Sequence, residues 1–510
     1  MLKTNSKMAW LVSLTCLTIS LLVALFFWAK LRNRSSKLRL PPGPPGWPVI
    51  GNIFDLGGQP HRDFQRLQSR YGPVLWLKLG NLNTVVVQSA AAAAELFKKH
   101  DLAFADRKAP DSMTACDYIK GSMAQAPYNE YWRILRRLSS SELMVQKRIN
   151  ASVQLRRSCI DKMIQWMKED ASEFGEIQLD KYLLIMSFNL VSNFMLTRDI
   201  MDFKSETGNE FFEAMHKFIS WQGKPNVVDA FEFLKWLDPQ GIRGRTKRHL
   251  EELLKIVSVF VKERIQERNL QKGNETRDFL DALLDYEGDG KGSVDKLSEK
   301  NINIIILEMF FGGTETTSNT TVWAMAELLC SPDSMRKLKA EIDRVVGPSR
   351  AVEEDDLTEL TYLHAVAEET MRLHPALPLL LPRKAREDTE FMGYNIPKDT
   401  AVIVNAWAIH RDPDSWEDPL SFKPERFLNS SIDHKGQHYE MIPFGSGRRS
   451  CVGMLMGERM VNLTLARLMQ SFDWELPANV SPETLDMRDM TGLSLRMMTP
   501  LKAVPRERGV

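Results

Sequence analysis

The chain has 510 residues but only five cysteines, Cys16, Cys116, Cys159, Cys330 and Cys451. They are odd in number and widely scattered, which excludes a disulfide framework and a paired zinc site. Nine histidines show no HExxH pattern or other paired metal spacing, and His364 and His374 read as structural. An excess of charge of one sign is also missing: Lys plus Arg is 67, Asp plus Glu is 66, and the formal net charge is +1. A nucleic-acid binder would carry a basic excess, so that class of partner is set aside. No phosphate loop or dinucleotide fingerprint occurs, so the chain binds no nicotinamide or flavin dinucleotide of its own by those motifs. Internal repeats are lacking, and the one biased segment is Pro41-Pro42-Gly43-Pro44-Pro45-Gly46.

What is present begins with an uncharged, largely apolar run from Met8 to Ala29, flanked by Lys7 and Lys30. About twenty such residues suffice to cross a bilayer as a helix. A cleaved signal peptide has a shorter apolar region ending at small residues, whereas this one ends Leu25-Phe26-Phe27-Trp28. Residues 1–29 are therefore expected to be a retained single membrane anchor. Lys30, Arg32, Arg34, Lys37 and Arg39 follow it, which places everything from residue 30 onward in the cytosol by the positive-inside rule. Residues 30–46 read as a basic and proline-rich hinge. Residues 47–510 contain no convincing break and are expected to form one large, mainly α domain with small β-sheets. Val74–Leu79 and Thr84–Val87 read as a hairpin, β-like pieces return near Asp399–Val404 and beyond Gly492, and Glu287–Ser298 reads as a surface loop.

One stretch organises the rest, Phe444-Gly-Ser-Gly-Arg-Arg-Ser-Cys-Val-Gly453. Cys451 sits in a glycine-rich turn just ahead of Val461, Leu465, Leu468 and Phe472, whose spacing predicts an amphipathic helix. A sulfur near a helix N-terminus is favoured as thiolate. An isolated cysteine is more often a small buried hydrophobe; the spacing of Phe444, Gly447, Arg449, Cys451 and Gly453 is what argues otherwise.

That segment resembles the cysteine-ligand loop of the cytochrome P-450 haem-thiolate enzymes, and three further segments fit in order. Trp132 and Arg136 lie four apart, so they share a helix face. Asn301–Leu329 reads as a buried helix interrupted by Gly312-Gly313-Thr314-Glu315-Thr316-Thr317. Glu369-Thr-Met-Arg372 is followed downstream by Pro424-Glu-Arg426-Phe. The resemblance covers essentially the whole chain and is nearest to plant microsomal members of the branch rich in terpenoid, alkaloid and phenolic hydroxylases.

The resemblance implies a cytochrome P-450 fold behind a single N-terminal transmembrane helix, with haem b (iron protoporphyrin IX) as cofactor. Cys451 would be the metal ligand, and Phe444, Arg449 and Gly453 would shape its loop. Trp132, Arg136 and Arg383 would bond the haem propionates; indole and guanidinium are donors without acceptor character, which suits a carboxylate. Thr316 would hydrogen-bond the dioxygen substrate and Glu315 would relay protons through water. A kinked helix with a back-bonded threonine also explains the two glycines, but it leaves the acid without a reason. Glu369, Arg372 and Arg426 would form a structural triad. Met309, Phe310, Gly313, Thr317, Leu377, Leu379, Leu380 and Leu493 would face a lipophilic substrate.

The implied reaction is insertion of one oxygen atom from O2, with electrons from NADPH through a separate NADPH-cytochrome P-450 reductase at the endoplasmic reticulum membrane. Arg133, Arg137, Lys147, Arg148, Arg448 and Arg459 would receive that partner's acidic surface. A terpenoid substrate is expected first, with an alkaloid or phenolic as the alternative. A reductase-independent haem-thiolate isomerase or dehydratase, and a non-catalytic haem carrier, remain rivals; neither needs the Glu315–Thr316 pair.

Overall fold

A computed structural model describes residue 10, residues 13–23, residue 26 and residues 39–202, 209–270, 278–288, 296–492 and 494–508. The fold is mainly helical. Its longer helices are α1 (Pro60–Tyr71), α2 (Ala90–Lys99), α3 (Glu130–Leu138), α4 (Val153–Phe174), α5 (Leu179–Leu196), α6 (Asn209–Gln222), α7 (Ile242–Leu270), α8 (Glu299–Cys330), α9 (Pro332–Val345), α10 (Thr361–Leu373) and α11 (Met454–Ser471).

The central element is α8, 32 residues long. It starts where the Ser298 hydroxyl accepts the Asn301 N–H at 3.2 Å, directly after the predicted surface loop. From Ile302 to Phe311 it is mostly apolar around its circumference, and Ile302, Ile304, Ile305, Ile306, Phe310 and Phe311 are all buried. Such a helix must be wrapped by others, and α5, α7, α10 and α11 pack against it. One apolar cluster joins α4, α5, α8, α10 and α11 around Met163, Leu183, Trp323, Val366 and Leu465. Another joins α5, α6, α7 and α8 around Phe188, Phe211, Phe218, Leu253 and Phe310.

The expected hairpin is β1 (Val74–Leu79) and β2 (Leu82–Val87), in the register Val74 opposite Val87. It belongs to a five-stranded sheet ordered β1-β2-β8-β5-β3, with β3 Asp106–Arg107, β5 Arg383–Lys384 and β8 Ala401–Val404. The β2–β8 pair is parallel and the others are antiparallel. Smaller sheets are β4 (Ile177–Gln178) with β12 (Lys502–Glu507) and β9 (Phe472–Glu475), β6 (Thr389–Phe391) with β7 (Tyr394–Ile396), and β10 (Asp489–Thr491) with β11 (Leu495–Met497).

Two expectations change. Phe472 does not continue the helix after the cysteine loop: its backbone is extended (φ −136°, ψ 148°) and it opens β9. Its apolar side chain is buried from a strand, which spacing alone does not distinguish from one more helical turn. The proline segment is not a free-standing spacer either. Pro42 O accepts the Trp76 N–H at 2.8 Å, and a Cβ at Gly43 would lie 1.9 Å from Trp76 O. The segment covers the open edge of β1, which would otherwise present unpaired backbone groups. Among the described residues no helix is long and apolar enough to cross a membrane. The expected anchor, Met8–Ala29, falls partly outside them; residues 13–23 are helical and exposed.

Candidate active site

The cysteine loop is a turn that only glycine backbone allows. Gly445 and Gly447 have φ of 68° and 70°. At Gly447 a Cβ would lie 2.4 Å from Asp101 Oδ1, so this position also needs the absence of a side chain. Cys451 N–H closes the turn on Phe444 O at 2.9 Å, and α11 begins three residues later. Burial pushes the Cys451 thiol up, while the Gly453 N–H and the Arg136 guanidinium pull the other way. Without a metal, burial therefore outweighs the helix end that favours a thiolate.

Cys451 is nevertheless exposed. Its sulfur is thus exposed while the surrounding protein still desolvates it. Arg107, half-buried by surface yet pushed well below its usual range by burial, is in the same condition. The middle of α8 is open as well. Gly312 is exposed inside an otherwise buried helix, and a Cβ there would meet nothing within 4 Å. Gly313 does a different job: a Cβ would lie 2.7 Å from Val191 Cγ2, so it lets α5 approach α8.

Cations gather at the rim of the cysteine loop. Arg136 Nη1 donates to Ser450 O at 2.6 Å. Arg383 donates to Asp101 Oδ1 and to Ser446 O, both at 2.9 Å. Arg449 donates from Nε to Ala105 O at 2.8 Å and from Nη2 to Ala126 O at 2.7 Å, and it lies 4.2 Å over the Trp132 ring. The Trp132 indole N–H donates to Met123 O at 2.9 Å. These donors all have protein acceptors in this structure. Even so, burial and then the Arg383 charge bring Arg449 down to about 9, and Arg383 and Arg449 likewise depress Arg107. A buried cluster of mutually repelling guanidinium groups fits a dianionic ligand, and an open thiol beside it fits a metal in that ligand. The residues present therefore suit a haem, with Cys451 as its ligand and Arg107, Arg136, Arg383 and Arg449 near its carboxylates.

On α8, Thr316 Oγ1 donates back to Gly312 O at 2.7 Å, and Glu315 Oε2 accepts from the Ser494 hydroxyl at 3.0 Å. The acid and the alcohol thus have separate partners. Glu369, Arg372 and Arg426 do meet: Arg372 donates to both Glu369 oxygens at 2.7 and 2.8 Å, and Arg426 Nε reaches Oε1 at 3.0 Å. Arg372 also donates to His410 O and Pro419 O at 2.9 and 2.7 Å, so α10 is fastened to the chain that leads into the cysteine loop. His434 stands between Glu368 and Glu458 with its ring 5.5 Å from that of Phe444.

The predicted substrate-facing residues divide. Met309 and Thr317 are 8% and 9% exposed, while Leu377, Leu379 and Leu380 are half-buried. Phe310 is a correction: it is 0% exposed, with its ring 4.9 Å from Phe188 and 5.0 Å from Phe211. A side chain with no open surface touches no ligand, and Phe310 packs the core. Leu493 lies outside the described residues.

Four residues of the site were not anticipated. Asp101 gathers Arg383 and both the Arg448 backbone N–H and side chain. Arg107 donates to Leu381 O at 2.6 Å and Ala124 O at 3.0 Å. Glu308 on α8 accepts the Met123 and Ala124 N–H groups at 2.6 and 3.1 Å, besides the Ser122 hydroxyl. Ser494 holds Glu315. Only Glu308 left a signal, as a lone acid within the apolar run Ile302–Phe311.

Comparison with known proteins gives the same picture. The cytochrome P450 family model matches residues 41–501. Iridoid oxidase of Catharanthus roseus is 52% identical over 493 residues, 96% of either chain. Geraniol 8-hydroxylase of Swertia mussotii is 39% identical over 487 residues, again 96% of each. A zebra fish cytochrome P450 solved with abiraterone superposes with a TM-score of 0.73 at 26% identity, covering 88% of this chain and all 100% of that one. With the cysteine turn and the cation cluster in place, the chain belongs to the cytochrome P450 family and is a haem-thiolate monooxygenase that uses O2.

Proposed function

We propose that the enzyme inserts one oxygen atom into a terpenoid. The observation that carries this reading is the 52% identity to an iridoid oxidase over 96% of both chains, supported by the 39% identity to a geraniol 8-hydroxylase. The apolar character of Met309, Leu377, Leu379 and Leu380 accords with a lipophilic substrate held by shape.

The haem, when bound, supplies the oxidising chemistry at the substrate carbon. The chain's own part would be to ligate it through Cys451, to neutralise its carboxylates with Arg107, Arg136, Arg383 and Arg449, and to keep α8 open at Gly312. Glu315 and Thr316 deliver protons into that opening.

Electrons come from an NADPH-dependent reductase docked on the basic face that includes Arg133, Arg137 and Lys147, which are exposed on or near α3. Arg148, Arg448 and Arg459 in the same region lie against Glu142, Asp101 and Glu354. The catalytic domain rests on the endoplasmic reticulum membrane. In support of that, Trp47, Val49 and Phe54 are 65%, 66% and 73% exposed, and Phe233 and Trp236 are 64% and 83% exposed. Their segments meet at the β1–β2 turn, where Gly80 N–H bonds Ile50 O and Asn81 N–H bonds Ala230 O. Apolar surface of that extent is characteristic of a membrane or partner contact.

The test uses microsomes carrying the enzyme and a reductase, supplied with NADPH and with panels of terpenoids, phenolics and alkaloids. Oxygen uptake and a hydroxylated product are expected with terpenoids. Product from the other panels alone would overturn the substrate assignment.

A further inference from the structure

Three residues spaced one helical turn apart on α8, Glu315, Asn319 and Trp323, all bond to residues 494 and 495. The Trp323 indole N–H donates to Leu495 O at 3.3 Å, and Leu495 N–H donates to Ala376 O at 2.8 Å. Gly492 N–H donates to Ser494 O at 3.2 Å and closes the turn between β10 and β11. The hairpin is thus held to α8 through Leu495 O and to Ala376 through the Leu495 N–H, and neither bond involves the Ser494 hydroxyl.

That hydroxyl has a separate task. Ser494 is 3% exposed, its Oγ accepts the Asn319 Nδ2–H at 2.9 Å, and its one proton is directed to Glu315 Oε2 at 3.0 Å. A hydroxyl has a single proton to give, so the Asn319 donor settles which way it points. Among the described residues no other side chain hydrogen-bonds the Glu315 carboxylate, and the neighbouring Thr316 Oγ1 donates instead to Gly312 O at 2.7 Å. One hydrogen bond from the hairpin therefore decides where the acid of α8 stands.

We propose that Ser494 is the positioning residue for proton delivery, holding the Glu315 carboxylate in place with Asn319 behind it. This rests on the reading that Glu315 and Thr316 deliver protons. Oxygenation consumes O2, two electrons and two protons per substrate and releases one water. The unproductive route consumes the same O2, electrons and protons and releases hydrogen peroxide. NADPH use does not distinguish the two routes, but the ratio of product to peroxide does, because it depends on where the second proton arrives.

The experiment compares Ser494→Ala, Ser494→Thr, Glu315→Gln and the Ser494→Ala/Glu315→Gln double variant as full-length holoenzymes. Product and peroxide per NADPH are measured, together with haem content, the substrate-induced spectral shift and thermal unfolding of the ferric protein. Ser494→Ala is expected to lower the product-to-peroxide ratio about five-fold, with haem content and spectral Kd unchanged and Ser494→Thr near wild type. The double variant is expected to be no worse than Glu315→Gln in that ratio, and the two changes are expected to be non-additive in unfolding temperature. A wild-type ratio in Ser494→Ala while Glu315→Gln loses product overturns the proposal and leaves the relay intact. Loss of haem or of substrate affinity in Ser494→Ala, in proportion to lost product, also overturns it, since the hydroxyl would then only hold the hairpin. A wild-type ratio in Glu315→Gln removes the relay itself and the proposal with it.

Discussion

The Glu308 carboxylate accepts the Met123 N–H at 2.6 Å and thereby fastens the middle of α8 to the loop that precedes α3. Met123 is bound from its other side as well, since its carbonyl accepts from the Trp132 indole at 2.9 Å and from Arg449 Nη1 at 3.2 Å. Burial raises the Glu308 pKa, and the hydrogen bonds from Ser122, Met123 and Ala124 oppose that rise. The loop, the central helix and the cysteine turn consequently share one buried polar junction.

Glu308→Ala leaves buried donors at Ser122, Met123 and Ala124 without their acceptor. A loss of about 3 kcal/mol is expected from unpaired buried groups of this kind. Thermal unfolding of the holoenzyme measures it. Glu308→Asp, one methylene shorter, is expected to retain part of the loss.

Gly447→Ala places a methyl group in a left-handed backbone (φ 70°) and against Asp101 Oδ1. Asp101 must shift, and with it the bonds to Arg383 and Arg448. A cost of about 2 kcal/mol or more is expected, together with reduced haem occupancy. The ratio of haem absorbance to protein in the purified variant reports it.

His434 provides a pH prediction. Burial opposes its charge, but the hydrogen bond it gives Glu368 and the carboxylate charges of Glu368 and Glu458 prevail and raise its pKa to about 10. The folded value lies above the unfolded one, which is about 6.5. The resulting stabilisation is complete below about pH 6.5 and fades as pH rises through about 10. Unfolding curves of wild type and His434→Gln are therefore expected to differ by a few kcal/mol at pH 6 and to converge above about pH 10. A constant difference across that range would contradict the assignment.

Cys451→Ala is expected to remove the red-shifted Soret band that a thiolate ligand gives on reduction under carbon monoxide. Far-ultraviolet circular dichroism is expected to stay mainly helical, because α8 and the clusters around it do not depend on Cys451. An unchanged Soret band in the variant would remove the cysteine from the metal.

How much was legible in the sequence follows from the range of each signal. The hairpin Val74–Val87, the buried helix of Asn301–Leu329 and the turn at Cys451 are written in local periodicity and in glycine placement, and the structure has them. Phe472 was misplaced because a buried aromatic fits one more helical turn as well as a first strand residue. Phe310 was misplaced for a related reason. An apolar residue on a buried helix faces either a cavity or another helix, and the approach of Phe188 and Phe211 decides which.

The sequence by itself determined the family, the cysteine turn, the hairpin and the buried central helix, because composition and spacing act within a few turns of chain. Tertiary structure alone decided which partner each polar group found. Ser494 reaches Glu315 across 179 positions, Asp101 reaches Arg383 across 282, and Glu308 reaches Met123 across 185. Hydrogen bonds are directional and short in reach, so their pairing is fixed only when packing brings distant segments to within about 3 Å of each other.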